Sequence, residues 1–221
     1  MAPMETPPRR RLSAAERRQE LLDAAVDVFA RDGYHRASLE DIASAAGVSK
    51  ALIYEHFSSK RELHDELVLA HAGEIFRRLQ ASAGSPGLPG QERLRRGVHA
   101  FLGFVEEHRE AWRALFRDAA DPEVAEQISV VQSQATLVIA SLIRADVEGR
   151  ERDRVDPDYQ QQVFVIYAQL LAGGLQLLAN WWYDHQEVTL EEVVDRAMEF
   201  CWLGLERVSE GAFYAHGVAR G

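Results

Sequence analysis

The sequence predicts an all-α protein, in which a short N-terminal unit of three helices precedes a longer helical bundle. Apolar residues recur at spacings of three and four along most of the chain, which is the period of an amphipathic helix. Serines and glycines mark helix starts and ends, and no useful length of strand-like alternation occurs. With 221 residues, 47% of them apolar and 27% charged, the chain is long enough to fold around a sizeable core.

The N-terminal segment, residues 1–12, is predicted to be a disordered basic arm because it combines several prolines with three consecutive arginines, Arg9 to Arg11. The first helix is expected to begin at Ser13, because Glu16 three residues later completes a capping box. Gly33 should end this helix, since glycine adopts the left-handed backbone conformation of a C-terminal cap.

Three further helices follow, each with a serine at its predicted start and a clear end near residues 46, 57 and 83: Ser38, Ser49 and Ser59. Residues 84–90 form the clearest loop, because they are almost entirely Gly, Pro and Ser. The remainder is predicted as five helices, at about 91–107, 109–119, 122–149, 157–184 and 189–209. We therefore predict two domains, residues 13–63 and residues 64–221.

The charge is divided unevenly along the chain. The net charge of −10 would by itself argue against a nucleic-acid partner. Residues 1–63 hold ten basic and ten acidic residues, whereas residues 64–221 hold fifteen and twenty-five, so all of the excess is in the second part. The chain has 23 Arg but only two Lys, and both Lys50 and Lys60 lie in the N-terminal unit.

The second and third helices have the size of a helix-turn-helix, with small alanines near the turn and Gly47 within it. The apolar spacing of the third helix leaves a polar outer face of six residues: Ser49, Lys50, Ala51, Tyr54, Glu55 and His56. A helix with such a face suits the major groove of DNA, whose edges are read by polar and methyl-contacting side chains. The pattern alone also fits an ordinary amphipathic hairpin with a solvated face.

The run from Gly47 to Leu63, GVSKALIYEHFSSKREL, closely resembles the DNA-binding signature of the TetR family of transcriptional regulators. The preceding segment matches the same pattern at six positions: Phe29, Gly33, Tyr34, Ser38, Ile42 and Ala43. The resemblance is detailed over residues 13–65 and extends more loosely, as a helical body of suitable length, to the end. It implies a DNA-binding regulator with a C-terminal domain for dimerisation and ligand binding, most simply a repressor, although a relative could also activate.

The resemblance also implies roles for individual residues. Lys50, Ala51 and Tyr54 lie where family members meet bases, and Ser38, His56 and Lys60 where they meet phosphates, while Ser49 lies on the same outer face. Leu52 departs from the pattern because many relatives have Thr or Ser there, and Glu55 puts a negative charge on the reading face. Two alternatives stay open, a hydrogen bond of His56 within the hairpin and packing of Tyr54 on the first helix. The Arg9–Arg11 arm could enter a minor groove or remain solvated.

A twofold homodimer on double-stranded DNA is expected because one helix-turn-helix reads too few base pairs to specify a site in a genome. The helices at 157–184 and 189–209 are the candidates for the interface, and family members pair through the same two. We predict apolar stripes on them, aided by Gly173 and Gly174: Phe164, Ala168, Leu171, Leu175 and Trp182 on the first, and Val194, Ala197, Cys201, Gly204, Leu205 and Val208 on the second. The stripes could instead pack within one subunit.

The body is also rich in aromatic residues with a few polar groups between them, as an apolar or aromatic effector would require. We select Trp112, Phe116, Gln134 and Tyr167 as effector-binding candidates, although each could simply be a core residue. The resemblance implies that an effector shifts the helix starting at Ser59 and so changes the separation of the two DNA-binding units.

Other functional classes find little support in the sequence. The chain contains no HExxH, GxSxG, Cys-rich metal motif or phosphate loop, so we expect neither an enzyme nor a cofactor. The alternative is a helical carrier or enzyme acting on a lipid-like or aromatic molecule without DNA. The single cysteine, Cys201, cannot form an internal disulfide, which indicates a reducing cytoplasm. No uninterrupted apolar run is long enough to span a bilayer, so no membrane partner is expected.

Overall fold

The computed structural model describes residues 13–85, 87–117, 122–147 and 157–209. Within these ranges the chain forms helices and no strand. In order they are α1 (Ala14–Arg36), α2 (Leu39–Ala45), α3 (Lys50–His56), α4 (Lys60–Ala83), α5 (Gly90–Glu107), α6 (Arg109–Trp112), α7 (Pro122–Val147), α8 (Pro157–Tyr183) and α9 (Leu190–Ser209). A π-helical segment, Arg113–Arg117, continues α6 directly. The all-α prediction is confirmed, and the helix bounds differ from the predicted ones by a few residues.

Side-chain caps determine where the first four helices begin. At α1, Ser13 Oγ accepts a hydrogen bond from the Glu16 backbone N–H at 3.2 Å, and the Glu16 carboxylate accepts one from the Ser13 N–H at 2.7 Å. Such reciprocal capping supplies partners for N–H groups that the first turn of a helix leaves unpaired. At α4 only half of this arrangement forms, because Ser59 caps the helix while the Glu62 carboxylate accepts a hydrogen bond from the Ser58 N–H instead of the Ser59 N–H.

Two glycines with positive φ shape the N-terminal unit. Gly33 has φ 76° and interrupts the last turn of α1, where the sequence predicted its end. Gly47 has φ 66° and forms the turn between α2 and α3, with the Val48 N–H bonded to the Ala43 carbonyl at 2.9 Å. Residues with a Cβ rarely adopt this conformation, so both positions favour glycine.

A continuous apolar core joins the N-terminal unit to the body. In the unit, buried side chains of α1, α2 and α3 meet, among them Phe29, Ile42 and Ile53. Helix α4 closes this core with Leu63 and Leu67 and then continues into the body, where it packs against α5 and α7. The predicted domain boundary at residue 63 therefore falls inside a continuous helix, which connects the two parts.

The last two helices differ from the sequence prediction in the face that they bury. The predicted stripe of α8 packs inside the subunit, because Phe164, Ala168, Leu171, Leu175 and Trp182 are all buried. On α9, Val194 and Ala197 are buried and Cys201 and Leu205 half-buried, whereas Gly204 is exposed and the side chain of Val208 lies outside the described part. The alternative that these stripes pack within one subunit is therefore the correct one for most of these residues.

Candidate nucleic-acid interface and effector cavity

Helix α3 presents the polar face that the sequence predicted. Ile53 and Phe57 are buried against α1 and α2, whereas Ser49, Lys50, Ala51, Tyr54 and Glu55 are exposed. Ser49 also caps the helix, since its Oγ accepts a hydrogen bond from the Leu52 N–H at 3.3 Å. The result is an exposed helical face that carries one cation, one phenol and one small methyl side chain next to each other.

Glu40 of α2 holds two residues of this face. Its Oε1 lies 2.5 Å from Lys50 Nζ and accepts a hydrogen bond from the Tyr54 hydroxyl at 3.1 Å. The bond from the Lys50 ammonium, aided by that from Tyr54, lowers the pKa of Glu40 to about 2. Tyr54 remains 46% exposed and makes its polar contact with α2, so the structure does not support the alternative that it packs on α1.

Ser38 and His56, two predicted phosphate contacts, lie at helix ends. Ser38 caps α2, and its Oγ pairs with the Asp41 carboxylate at 2.5 Å. The ring of His56 is half-exposed at the end of α3, while its backbone carbonyl accepts a hydrogen bond from Arg18 Nη1 at 2.5 Å. The contact within the unit therefore comes from the backbone of His56.

Lys60 makes more contacts within the subunit than the sequence indicated. Its Nζ donates hydrogen bonds to the backbone carbonyls of Tyr34 at 2.6 Å and His35 at 3.3 Å, and it lies 4.2 Å from the centre of the Tyr34 ring. These carbonyls lie in the last turn of α1, where the helix dipole is negative and favours a cation. Lys60 thus joins the start of α4 to the end of α1, and a phosphate contact would be an additional role.

Arg18 of α1 supports the same helix and was not selected from the sequence. Its guanidinium forms a two-pronged pair with Glu66 of α4 and lies 4.1 Å above the Phe57 ring. Through its bond to the His56 carbonyl it therefore joins α1, α3 and α4. The position of Arg18 in the helical pattern could not predict its contacts with α3 and α4, because these contacts depend on tertiary packing.

A cavity of about 330 Å³ lies in the body between α4, α5, α6, α7 and α8. Aromatic side chains line much of it, including two of the four effector-binding candidates, Trp112 and Phe116. Trp112 is held in place because its indole Nε1 donates a hydrogen bond to Asn180 Oδ1 at 3.0 Å. Four polar side chains also line the cavity, and none of them is charged: Gln132, Thr136, Gln169 and Gln176.

The other two effector-binding candidates lie outside this cavity. Gln134 is exposed on the opposite side of α7 from Ala135 and Thr136, which line the cavity wall. Tyr167 packs instead on a separate small cluster formed by Ala140, Phe164 and Ala168. The helical period explains why Gln134 lies outside this wall while Ala135 lies in it, since neighbouring positions on one helix point about 100° apart.

An unpartnered apolar face covers the outside of α8 and α9. On α8 it consists of Ile166, Leu170, Leu177 and Trp181, and exposed glycines at 173 and 174 lie between them. On α9 it consists of Phe200 and Leu203, with Gly204 beside them, and Phe200 is 85% exposed. The segment Gln161–Tyr183 also contains an 18-residue stretch with a mean hydropathy of 1.5, so by length and composition alone it could cross a membrane. Glutamines interrupt its apolar residues, so no single uninterrupted apolar run reveals it.

A helix-turn-helix with a solvent-facing second helix, joined by α4 to a body with an internal cavity, defines a DNA-binding regulator. Comparison with known families agrees: residues 21–67 match the family model for bacterial regulatory proteins of the tetR family, and residues 90–204 match the model for the tetracyclin repressor-like C-terminal domain. The chain belongs to the TetR family of transcriptional regulators.

Relatives of this chain include a protein named as an activator and one named as a repressor. The chain is 32% identical over 200 residues, 90% of its length and 87% of the relative's, to the transcriptional activator FasR of Mycolicibacterium smegmatis. It is 34% identical over 106 residues, 47% of its length and 51% of the relative's, to the transcriptional repressor KstR2 of Mycobacterium tuberculosis. Among solved structures, a TetR-like transcriptional regulator from Rhodococcus sp. RHA1 matches with a TM-score of 0.70 and 32% identity over 89% of this chain and 99% of that one.

Proposed function

We propose that this chain acts as a homodimer that binds a double-stranded DNA operator and leaves it when a small apolar or aromatic effector enters the cavity. The outer face of α3, with Lys50, Ala51 and Tyr54, contacts base edges, and residues near helix ends contact phosphates: Ser38, Ser49, His56 and Lys60. The observation that carries this proposal is that α3 has an exposed face, and that α4, which packs on the same N-terminal unit, also forms a wall of the cavity.

Helix α4 supplies a direct connection from the effector to the DNA-binding unit. Its first half contributes Leu63 and Leu67 to the core of that unit, and its second half contributes Ile75, Phe76 and Leu79 to the wall of the cavity. A helix of 24 residues behaves as a rod on this length scale. An effector that pushes on its second half therefore tilts the unit, and with it the angle at which α3 meets the groove.

The homodimer forms through the outer apolar face of α8 and α9. Exposing a row of apolar side chains that includes Leu170 and Leu177 to water is unfavourable for a monomer. Packing this row against the same row of a second subunit removes it from water. The same pairing accounts for the hydropathy of Gln161–Tyr183, because this helix then buries one face in its own subunit and the other against the partner. We accordingly place the protein in the cytoplasm, where its DNA is, and not in a membrane.

The two DNA-binding units of such a dimer must contact successive turns of the major groove, which repeat about every 34–36 Å. To change the population from 99:1 bound to 1:99, an effector must favour the released arrangement by about 5.5 kcal/mol. The acidic body limits non-specific attraction to DNA, whereas residues 1–63, which hold equal numbers of basic and acidic residues, dock. Binding should weaken steeply with salt, because each neutralised phosphate releases counterions.

A second candidate is an activator, in which operator binding recruits transcription instead of blocking it. The relative that favours this reading is FasR, which is named an activator and matches most of the chain. A carrier or an enzyme without DNA binding is not favoured, since it gives no role to the exposed face of α3.

The proposal is tested by fluorescence anisotropy of labelled DNA from the region upstream of the gene, at low salt and with random DNA as competitor. We expect preferential binding that is lost when Lys50, Tyr54 and Lys60 are replaced by Ala together, while the helical circular dichroism is retained. Equal affinity for upstream and random DNA, or unchanged binding by the triple variant, would overturn the assignment. Reporter expression in a strain lacking the gene then distinguishes repression from activation.

A further inference from the structure

Arg93 of α5 is a buried cation without an acidic partner among the residues that the structure describes. Only 8% of the residue is exposed, and in the part of the chain that the structure describes its guanidinium forms no salt bridge with a carboxylate. Buried arginines are normally paired, because a charge removed from water needs compensation. Arg93 therefore requires either a strong structural reason or a partner from outside the chain.

Backbone carbonyls supply part of that compensation. Arg93 Nη1 donates to the Ala83 carbonyl at 2.7 Å, and Nη2 donates to the Leu88 carbonyl at 3.3 Å. The first of these carbonyls ends α4, so the guanidinium also meets the negative end of a helix dipole. The Nε–H, however, is buried and has no hydrogen-bond partner within the described ranges of the chain. A guanidinium with this donor free has an unused position for one anionic oxygen.

The same residue lines a second, narrow cavity of about 90 Å³ between α4, α5, α7, α8 and α9. Every other described side chain in its wall is apolar, and Trp202 and Leu205 of α9 lie on one side. Three residues line both this cavity and the larger one described above: Leu79, Ile139 and Leu175. The two spaces therefore adjoin at these three apolar side chains, and among the described residues that line them Arg93 is the one cation.

We infer that the effector is an elongated amphiphile with a single anionic head group, whose head binds Arg93 and whose apolar body extends past Leu79 and Ile139 into the larger cavity. This inference rests on the proposed function, since it specifies the molecule that the regulator detects. A carboxylate fits the position best, because one of its oxygens accepts from Nε–H while the apolar walls exclude a large hydrated group. Among the described residues, the wall of the larger cavity holds none that is charged, so this cavity accommodates the uncharged part of the molecule.

The first test compares ligands on the unaltered protein in the absence of DNA. Dodecanoate and methyl dodecanoate, kept below their aggregation limits, are titrated against the protein while tryptophan fluorescence and binding heat are recorded. Trp202 in the narrow cavity and Trp112 in the larger one report occupancy of the two parts. We expect dodecanoate to bind roughly 10- to 100-fold more tightly than the ester, as a charge-assisted hydrogen bond provides. Equal affinities, a preference for the ester, or no binding of either ligand would overturn the inference.

The second test changes the protein. Arg93→Gln should abolish the preference for the acid and leave ester binding within about threefold. Arg96→Gln is the matched control, because Arg96 lies one turn further along α5 but is exposed and pairs with Glu92 on the surface. An acid preference that persists in Arg93→Gln, or that Arg96→Gln removes equally, would contradict the assignment. Should Arg93→Gln fail to fold, Arg93→Lys keeps the charge without the Nε–H, and the comparison of ligands on the unaltered protein still decides.

A third measurement separates this inference from the proposed function. If dodecanoate binds through Arg93 but leaves the affinity for upstream DNA unchanged, the site is real and the proposed release mechanism is wrong. If an uncharged aromatic compound releases the DNA and dodecanoate does not bind, the release mechanism holds and the anionic ligand is excluded.

Discussion

Arg113, in the π-helical segment after α6, donates a hydrogen bond from Nη2 to the backbone carbonyl of Ala30 in α1 at 2.5 Å. Its neighbours Trp112 and Phe116 line the larger cavity. One short stretch of chain therefore touches the proposed effector site on one side and the first helix of the DNA-binding unit on the other. π-Helical turns often occur at functional sites, because they are less stable than α-helix and change shape readily.

Arg113→Gln should reduce the effect of an effector on DNA binding. Allosteric coupling commonly changes affinity by about 5- to 150-fold, and we expect this ratio to fall severalfold while operator affinity without effector changes little. The ratio is measured by anisotropy with and without a bound effector. Arg117→Gln is the control, because Arg117 lies in the same π-helical segment and pairs with Asp184, at the end of α8 in the body. Equal coupling in the two variants would count against a role for the contact with Ala30.

Ala135→Phe should yield a protein that binds DNA but no longer responds to effector. Ala135 lines the larger cavity, so a phenyl ring there occupies space that the ligand needs. Gln134→Phe adds the same ring at the adjacent exposed position and should respond normally. Effector affinity is measured by calorimetry and DNA affinity by anisotropy. Normal ligand binding by Ala135→Phe would show that the effector binds elsewhere.

Lys50→Ala should weaken operator binding by about 1–3 kcal/mol if Lys50 reads a base, and sequence preference at that base pair should relax. A phosphate contact would instead weaken all sequences alike and lower the salt slope by about one. Both quantities come from anisotropy titrations on operator and scrambled DNA at several salt concentrations. Arg96→Ala removes one exposed cation from the body and should leave them unchanged. No loss of affinity in Lys50→Ala would remove this residue from the interface.

The contact of Glu40 with Lys50 and Tyr54 should persist throughout the physiological pH range. The folded pKa of Glu40, about 2, lies below its ordinary value of 4.5, so the contact stabilises the folded state fully above the ordinary value. This stabilisation is lost as the pH falls toward 2. Carbon-13 NMR of the Glu40 carboxyl group should show no titration between about pH 5 and 8. A midpoint near the ordinary value would mean that Glu40 does not hold the two side chains in solution.

Leu177→Glu should convert the protein into monomers and abolish high-affinity operator binding. Leu177 is 72% exposed at the centre of the outer face of α8, where a buried carboxylate in the dimer would lack a partner. Leu137→Glu changes a leucine of similar exposure on α7, outside that face, and should remain dimeric. Sedimentation velocity gives the mass of each variant. A dimer of Leu177→Glu with unchanged stability would place the interface elsewhere.

Local signals in the sequence were sufficient for the helices and for the outer face of α3. Ser13, Ser38, Ser49 and Ser59 all cap the helices predicted for them, because a cap involves groups no more than three residues apart. The exposure of Lys50 and Tyr54 followed from the period of one short helix packed on one side only. These features depend on neighbours along the chain, which the sequence states directly.

In the helices of the body, the sequence pattern did not determine which face is buried. Helix α8 is apolar on two sides, so periodicity cannot say which side meets its own subunit, and the predicted interface stripe is the buried one. Gln134 and Gln132 are equally plausible polar groups in the sequence, yet only Gln132 lines the cavity. The choice depends on the rotation of α7 against α4 and α8.

By itself the sequence determined an all-helical chain, the limits of its helices and a DNA-binding head with the signature of the TetR family, since these follow from short-range spacing and from residue identity. Only the tertiary structure decided which faces of α7, α8 and α9 point inward, which side chains surround the two cavities, and that Arg93 is buried with no carboxylate of the described segments beside it. The physical reason is that burial results from the packing of helices far apart in sequence, and an amphipathic pattern fixes the shape of each helix but not its neighbours.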